Sequence, residues 1–99
     1  MTQKIALPRL VGTREAADKL VEQLPTDLRD DSVVLLGRAL STSTVSFADE
    51  LVRVLKERGT AEIVLLAAPE EFQRQVRDSA SRRGSIRVRV GDRDDLAAV

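Results

Sequence analysis

The sequence predicts a small α/β domain built on a four-stranded, largely parallel sheet. Two apolar runs without alternation, residues 32–37 and 62–67, have the character of buried central strands. Stretches with apolar residues at spacings of three and four separate the strand-like segments, as amphipathic helices require. Short connections then imply repeated βαβ units with right-handed crossovers. The predicted order is βαβαβαβ over residues 1–91, with three helices and a flexible tail at 92–99. Three helices leave one face of the sheet thinly covered.

Taken in order, residues 4–11 are apolar, but Pro8 removes a ladder donor, which predicts an edge or bulged strand. Thr13 is a cap for a helix whose stripe is Ala16, Ala17, Leu20, Val21 and Leu24, stopped by Pro25. Residues 26–31 read as a polar surface loop. After the first buried strand and a loop of hydroxyls, a helix runs from about Ser46 to Arg58, with Phe47, Ala48, Leu51, Val52 and Leu55 inward. Gly59 follows it as a stop. Pro69 fits the first position of a third helix, with Glu70 and Glu71 in its first turn and Phe72, Val76 and Ala80 as a thin stripe. Arg82 and Arg83 suit its last turn and Gly84 its end. Residues 85–90 alternate, with Ile86, Val88 and Val90 opposite Arg87 and Arg89, which predicts a half-exposed edge strand.

Composition removes several classes of function. Ninety-nine residues fit one modest core. Sixteen basic and sixteen acidic side chains cancel, so no global field steers the chain toward nucleic acid or membrane. Without Cys there is neither a disulfide nor thiol chemistry, and without His no His-based triad. No run approaches the ~20 apolar residues of a membrane span. The N-terminus lacks a basic region followed by an apolar one, so no signal peptide is expected. A cytoplasmic, reducing setting is the default expectation, with no cofactor and no metal.

The stretch from Ser41 to Leu51 carries the main candidate site. Five hydroxyl residues, Ser41 to Thr44 and Ser46, lead into the second helix. Ser46 with Asp49 three residues later has the pattern of a capped helix start. Hydroxyls at such a start can hold an anion, because the first backbone N–H groups point outward; an ordinary strand-to-helix turn needs the same residues. Lys56 as a base for Ser46 is roughly 15 Å away along one helix, beyond the reach of a lysine. Asp49 and Glu50 are adjacent in sequence and point about 100° apart on a helix, so capping by Asp49 and solvation of Glu50 are expected rather than paired acid/base work. Residues 91–95 lack the central Gly and closing Glu of a calcium loop. Arg74, Arg77, Arg82, Arg83, Arg87 and Arg89 concentrate positive charge in the last third, readable as a solvated face or as a phosphate-contacting patch for a nucleotide or nucleic acid.

Two blocks, Val11-Gly12-Thr13-Arg14-Glu15-Ala16-Ala17 and Ser46-Phe47-Ala48-Asp49-Glu50-Leu51, resemble the STAS-like domains of unknown function. These are small prokaryotic proteins related in fold to the anti-sigma-factor antagonists, and the resemblance spans roughly residues 5–83. It implies a non-enzymatic regulatory module that docks on a protein partner, such as an anti-sigma factor with a histidine-kinase-like ATPase fold. It also implies a phosphorylated serine at the start of the helix after a central strand, and Ser46 stands at about that place. Thr44-Val45 replaces the antagonists' acidic residue and second hydroxyl, and Phe47 replaces their Gly. The docking surface expected on this reading is Thr42, Thr44, Ser46, Asp49, Glu50 and Arg53. The alternative is a phosphate-contacting accessory module that binds a nucleotide or nucleic acid through the Arg-rich third.

Overall fold

The computed structural model describes residues 1–84 and 86–97. Its elements are β1 (Thr2–Ala6), α1 (Arg14–Val21), β2 (Ser32–Leu36), α2 (Val45–Glu57), β3 (Glu62–Leu66), α3 (Glu70–Arg83), β4 (Arg87–Val90) and a short α4 (Arg93–Ala97). The four strands form one sheet in the order β1-β2-β3-β4, every pair parallel. Thr2, Ser32, Glu62 and Arg87 share one row of the register. The predicted fold class is the observed one.

Because every crossover steps to the next strand with the same hand, the three long helices fall on one face. Ile5, Val33, Leu35, Ile63 and Leu65 point into that layer and join Ala17 and Val21 of α1, Phe47, Leu51 and Leu55 of α2, and Phe72 and Val76 of α3 in one core. α2 packs between α1 and α3. Its Phe47 and Phe72 of α3 meet at 6.2 Å between ring centroids, tilted by 41°. Each such fully buried side chain contributes about 1.5–3 kcal/mol.

Local chemistry explains the boundaries. The β1 ladder ends at Ala6, with Leu7 N–H still bonded to the Leu36 carbonyl and Pro8 next. Beyond Pro8 the chain pairs again, Leu10 beside Thr42. The predicted single segment 4–11 is therefore two, divided by the missing donor. α2 ends in a paired-bond cap: Thr60 N–H reaches the Leu55 carbonyl and Gly59 N–H the Lys56 carbonyl, with Gly59 at φ +89°. Pro69 lies one residue earlier than predicted, extended at the N-cap of α3 rather than inside it. Residues 26–31 are not wholly a surface loop, since Leu28 is buried and its N–H bonds the Arg58 carbonyl.

The opposite face of the sheet has no long helix. Val34, Val64 and Leu66 form a small apolar cluster there, with Leu36 at its side. The segment read from sequence as a loose tail folds onto this face. Gly91 lies so close to Val64 and Leu66 that an added Cβ would stand 2.7 Å from Val64 Cγ1. Asp95 then pairs with Arg89 at 2.6 Å, and Arg89 also meets Glu62 at 3.2 Å. Ser85, predicted as the first residue of the fourth strand, and residues 98–99 of the tail lie outside the described residues.

Candidate functional site

The hydroxyl stretch sits where β2 leaves the sheet and α2 begins, stitched to the segment that follows Pro8. Val11 N–H bonds the Thr42 carbonyl at 3.0 Å, and Ser41 N–H bonds the Arg9 carbonyl at 2.8 Å. The hydroxyls divide into two groups. Ser43 Oγ donates to Gln75 Oε1 at 2.7 Å, tying the loop to α3. Thr44 Oγ1 donates to the Gly12 carbonyl at 2.9 Å and accepts from Phe47 N–H at 3.1 Å. Ser41, Thr42 and Ser46 stay exposed.

The helix cap is therefore Thr44, not Ser46. Thr44 has the extended backbone of an N-cap (φ −121°, ψ 159°), and its side chain takes the orphan amide of Phe47. Phe47 decides this register. It must enter the core, which makes Val45 the first helical residue and leaves Ser46 in the first turn, facing solvent.

Nor does Asp49 cap. Its side chain, 14% exposed, joins three helices. Oδ1 accepts from Ser79 Oγ at 2.7 Å and Arg83 Nε at 3.0 Å; Oδ2 accepts from Arg83 Nη2 at 2.8 Å and Arg14 Nη1 at 3.2 Å. The Arg83 hydrogen bonds, helped by Ser79 and Arg14, hold its carboxyl well below the usual carboxylate range.

Glu50 is buried, not solvated. Arg53 grips it through Nε at 2.9 Å and Nη2 at 2.6 Å, which lowers its carboxyl to about 2. Arg14 touches it at 3.5 Å as well, so one guanidinium bridges the adjacent carboxylates. Asp18 of α1 faces Glu50, and the hydrogen bond between the two acids raises Asp18. Arg53 reaches on to Glu57 at 2.7 Å. Chemically this is a neutralised clamp across α1, α2 and α3. Among the described residues no group of three or more His, Cys, Asp or Glu is placed to hold a metal ion.

Of the expected docking residues, Thr42 and Ser46 are exposed, while Thr44 and Arg53 are half-buried and Asp49 and Glu50 face inward. Two apolar side chains missing from that set stand out beside them: Leu10, 67% exposed, and Val45, 58% exposed. Leu10 is the bridge partner of Thr42, and Val45 precedes Ser46. Val45 could have been found in the sequence as an apolar residue off the helix stripe; Leu10 could not, because its exposure follows from the break at Pro8.

The Arg-rich third does not form one patch. Arg83 is committed to Asp49, Arg89 to Asp95 and Glu62, and Arg82 stands 3.6 Å from Asp49. Arg74, Arg77 and Arg87 are exposed on two different elements. Among the described residues no helix is long and apolar enough to cross a membrane. No family model, no curated protein and no solved structure matches the chain.

Proposed function

We propose that the chain is a non-enzymatic regulatory protein-interaction module of the anti-sigma-factor-antagonist kind, docking through residues 41–46 and the start of α2. The observation that carries this reading is the exposed set Leu10, Thr42, Val45 and Ser46 on two segments pinned to each other and to the core. Two apolar side chains held out of the core beside free hydroxyls suit a partner surface with a small apolar centre. Asp49 and Glu50 serve the reading indirectly, by fixing α2 between its neighbours.

Ser46 is the phosphorylation candidate. A phosphoryl group there would add about −1.5 to −2 charges within an apolar contact, which opposes docking by desolvation. The same group would be favoured intramolecularly by the N-terminal end of α2. Its effect would therefore be release of the partner, not loss of the fold. A phosphate-contacting role for the Arg-rich third has less support, since its arginines are split between internal ion pairs and separate elements.

The test is capture of protein partners by the native chain against a Leu10→Ser/Val45→Asp variant and a Ser46→Glu variant, each checked for native helicity. Loss of capture in both agrees with the reading; undiminished capture by the folded double variant places the interface elsewhere. After incubation with a captured ATPase, added phosphate mapped to Ser43 or Thr44 would reject Ser46.

A further inference from the structure

On the sheet face away from α1, α2 and α3, at the carboxyl ends of β2 and β3, lies a cavity of about 420 Å³. Leu36, Leu66 and Ala67 supply its apolar surface, and Arg38, Asp92 and Arg93 its charged groups. The volume falls within the roughly 300–1,000 Å³ of small-molecule sites.

Its construction is specific. Gly91 forms part of the lining because only a residue without a side chain fits against Val64 and Leu66. The turn after β3 is pinned on both sides: Gly37 N–H bonds the Leu66 carbonyl at 2.9 Å, and Gln73 Nε2 bonds the Ala68 carbonyl at 2.9 Å. Between those anchors Ala67 is held at φ +56°, a backbone that residues other than glycine rarely adopt. Such conformations persist where surrounding contacts impose them, and they gather at ligand sites.

The lining carries two cations and one anion, and the anion is already engaged. Asp92 is occupied within its own turn, accepting from the backbone N–H of Asp94 at 2.9 Å and of Asp95 at 3.2 Å. Asp95 is taken by Arg89. Arg38 and Arg93 make no ion pair or side-chain hydrogen bond among the described residues. Two unengaged guanidiniums beside an apolar surface select an anion with an apolar body, and the planar fork of arginine fits a carboxylate or phosphate.

We propose that this cavity binds a small amphiphilic oxyanion, its apolar part against Leu36, Leu66 and Ala67 and its head group between Arg38 and Arg93. The site is independent of the docking surface proposed for residues 41–46. Octanoate and octyl phosphate are the probes, titrated into the isotope-labelled chain while the amides of Leu36, Leu66, Ala67 and Gly91 are followed.

Saturable shifts at those amides are expected, and the tighter probe names the head group. Octanol and inorganic phosphate should each bind roughly tenfold more weakly or worse, and Arg38→Ala/Arg93→Ala should weaken the better probe at least about tenfold. Both arginines are exposed, so the double variant should keep native helicity. Equal binding of octanol, unchanged affinity in the double variant, or no saturable shift up to about 1 mM would each overturn the assignment.

Discussion

Replacing Asp49 by Ala tests whether the three-helix clamp holds α1 and α3 on α2. Contributions differ along the clamp. Arg14 and Arg82 are more than half exposed, at 53% and 56%, so each adds a surface-like few tenths of a kcal/mol, about 0.2–1. Arg83, only 29% exposed, donates twice to the same carboxylate, and a charge-assisted pair of this kind contributes about 1.5–2 kcal/mol. Ser79 is fully buried and would lose its acceptor, which costs about 1 kcal/mol more. The expected loss is about 3 kcal/mol. At a urea slope near 1.3 kcal/mol/M that lowers the midpoint by roughly 2 M. The chain has neither Trp nor Tyr, so far-ultraviolet circular dichroism is the signal to follow. A double-mutant cycle with Arg83→Ala should return a coupling of about 1.5 kcal/mol. A loss below about 0.5 kcal/mol, or additivity within about 0.3, would refute the account.

Three more outcomes follow from other parts of the molecule. Glu50 is lowered from 4.5 to about 2, so its stabilisation is complete above pH 4.5 and is lost as pH falls through about 2. Asp49 acts in the same direction, and Asp18, raised above 3.8, in the opposite one, so the acid limb of a pH series should begin just below pH 4.5 and should flatten in Arg53→Ala. Thr44→Ala should cost about 1 kcal/mol through its lost cap, whereas Ser46→Ala should stay within about 0.5; the reverse ranking in urea melts would restore Ser46 as the cap. Ala67→Gly should raise stability by roughly 0.5–1 kcal/mol, because relief of the left-handed backbone exceeds the added chain entropy, and a fall in thermal midpoint would contradict that.

Most of the layering was legible in the sequence, for identifiable reasons. Residues 32–36 and 62–66 lack alternation because both faces bear apolar side chains: one meets the helices, and on the other Val34, Val64 and Leu66 cluster, with Gly91 against Val64 and Leu66. Phe47 and Phe72 were assigned inward from helical spacing alone, and both are fully buried. What local pattern could not supply was partnership across the chain. Asp49 with Glu50 reads in sequence as a cap followed by a solvated acid, since Arg14 and Arg83 lie 35 and 34 residues away. The spacing of Arg53 from Glu50 was a visible cue, but it does not reveal burial. Ser46 is the stronger cap by residue type, yet Thr44 takes the role, and the choice is settled by the depth at which Phe47 packs. The cavity was hidden for a related reason: its two arginines belong to segments 55 residues apart, Arg38 and Arg93.

The order β1-β2-β3-β4 has a consequence for how the molecule comes apart. Every strand pairs only with its neighbours in sequence, so the sheet can peel from either edge without breaking its middle. Local opening of this kind produces a gradient of hydrogen exchange. The amides of Val33–Leu35 and Ile63–Leu65, bonded on both sides and sealed under α2, should exchange last and only through global unfolding. Those of β1 and β4 should exchange sooner, since each gives up one ladder. The loop of hydroxyls leaves the protected β2 directly, while the wall of the cavity formed by Gly91 to Arg93 hangs from the outer β4. One surface is thus anchored in the slowest-opening part of the protein, while the other joins that part, through Leu36 and Leu66, to one of the fastest.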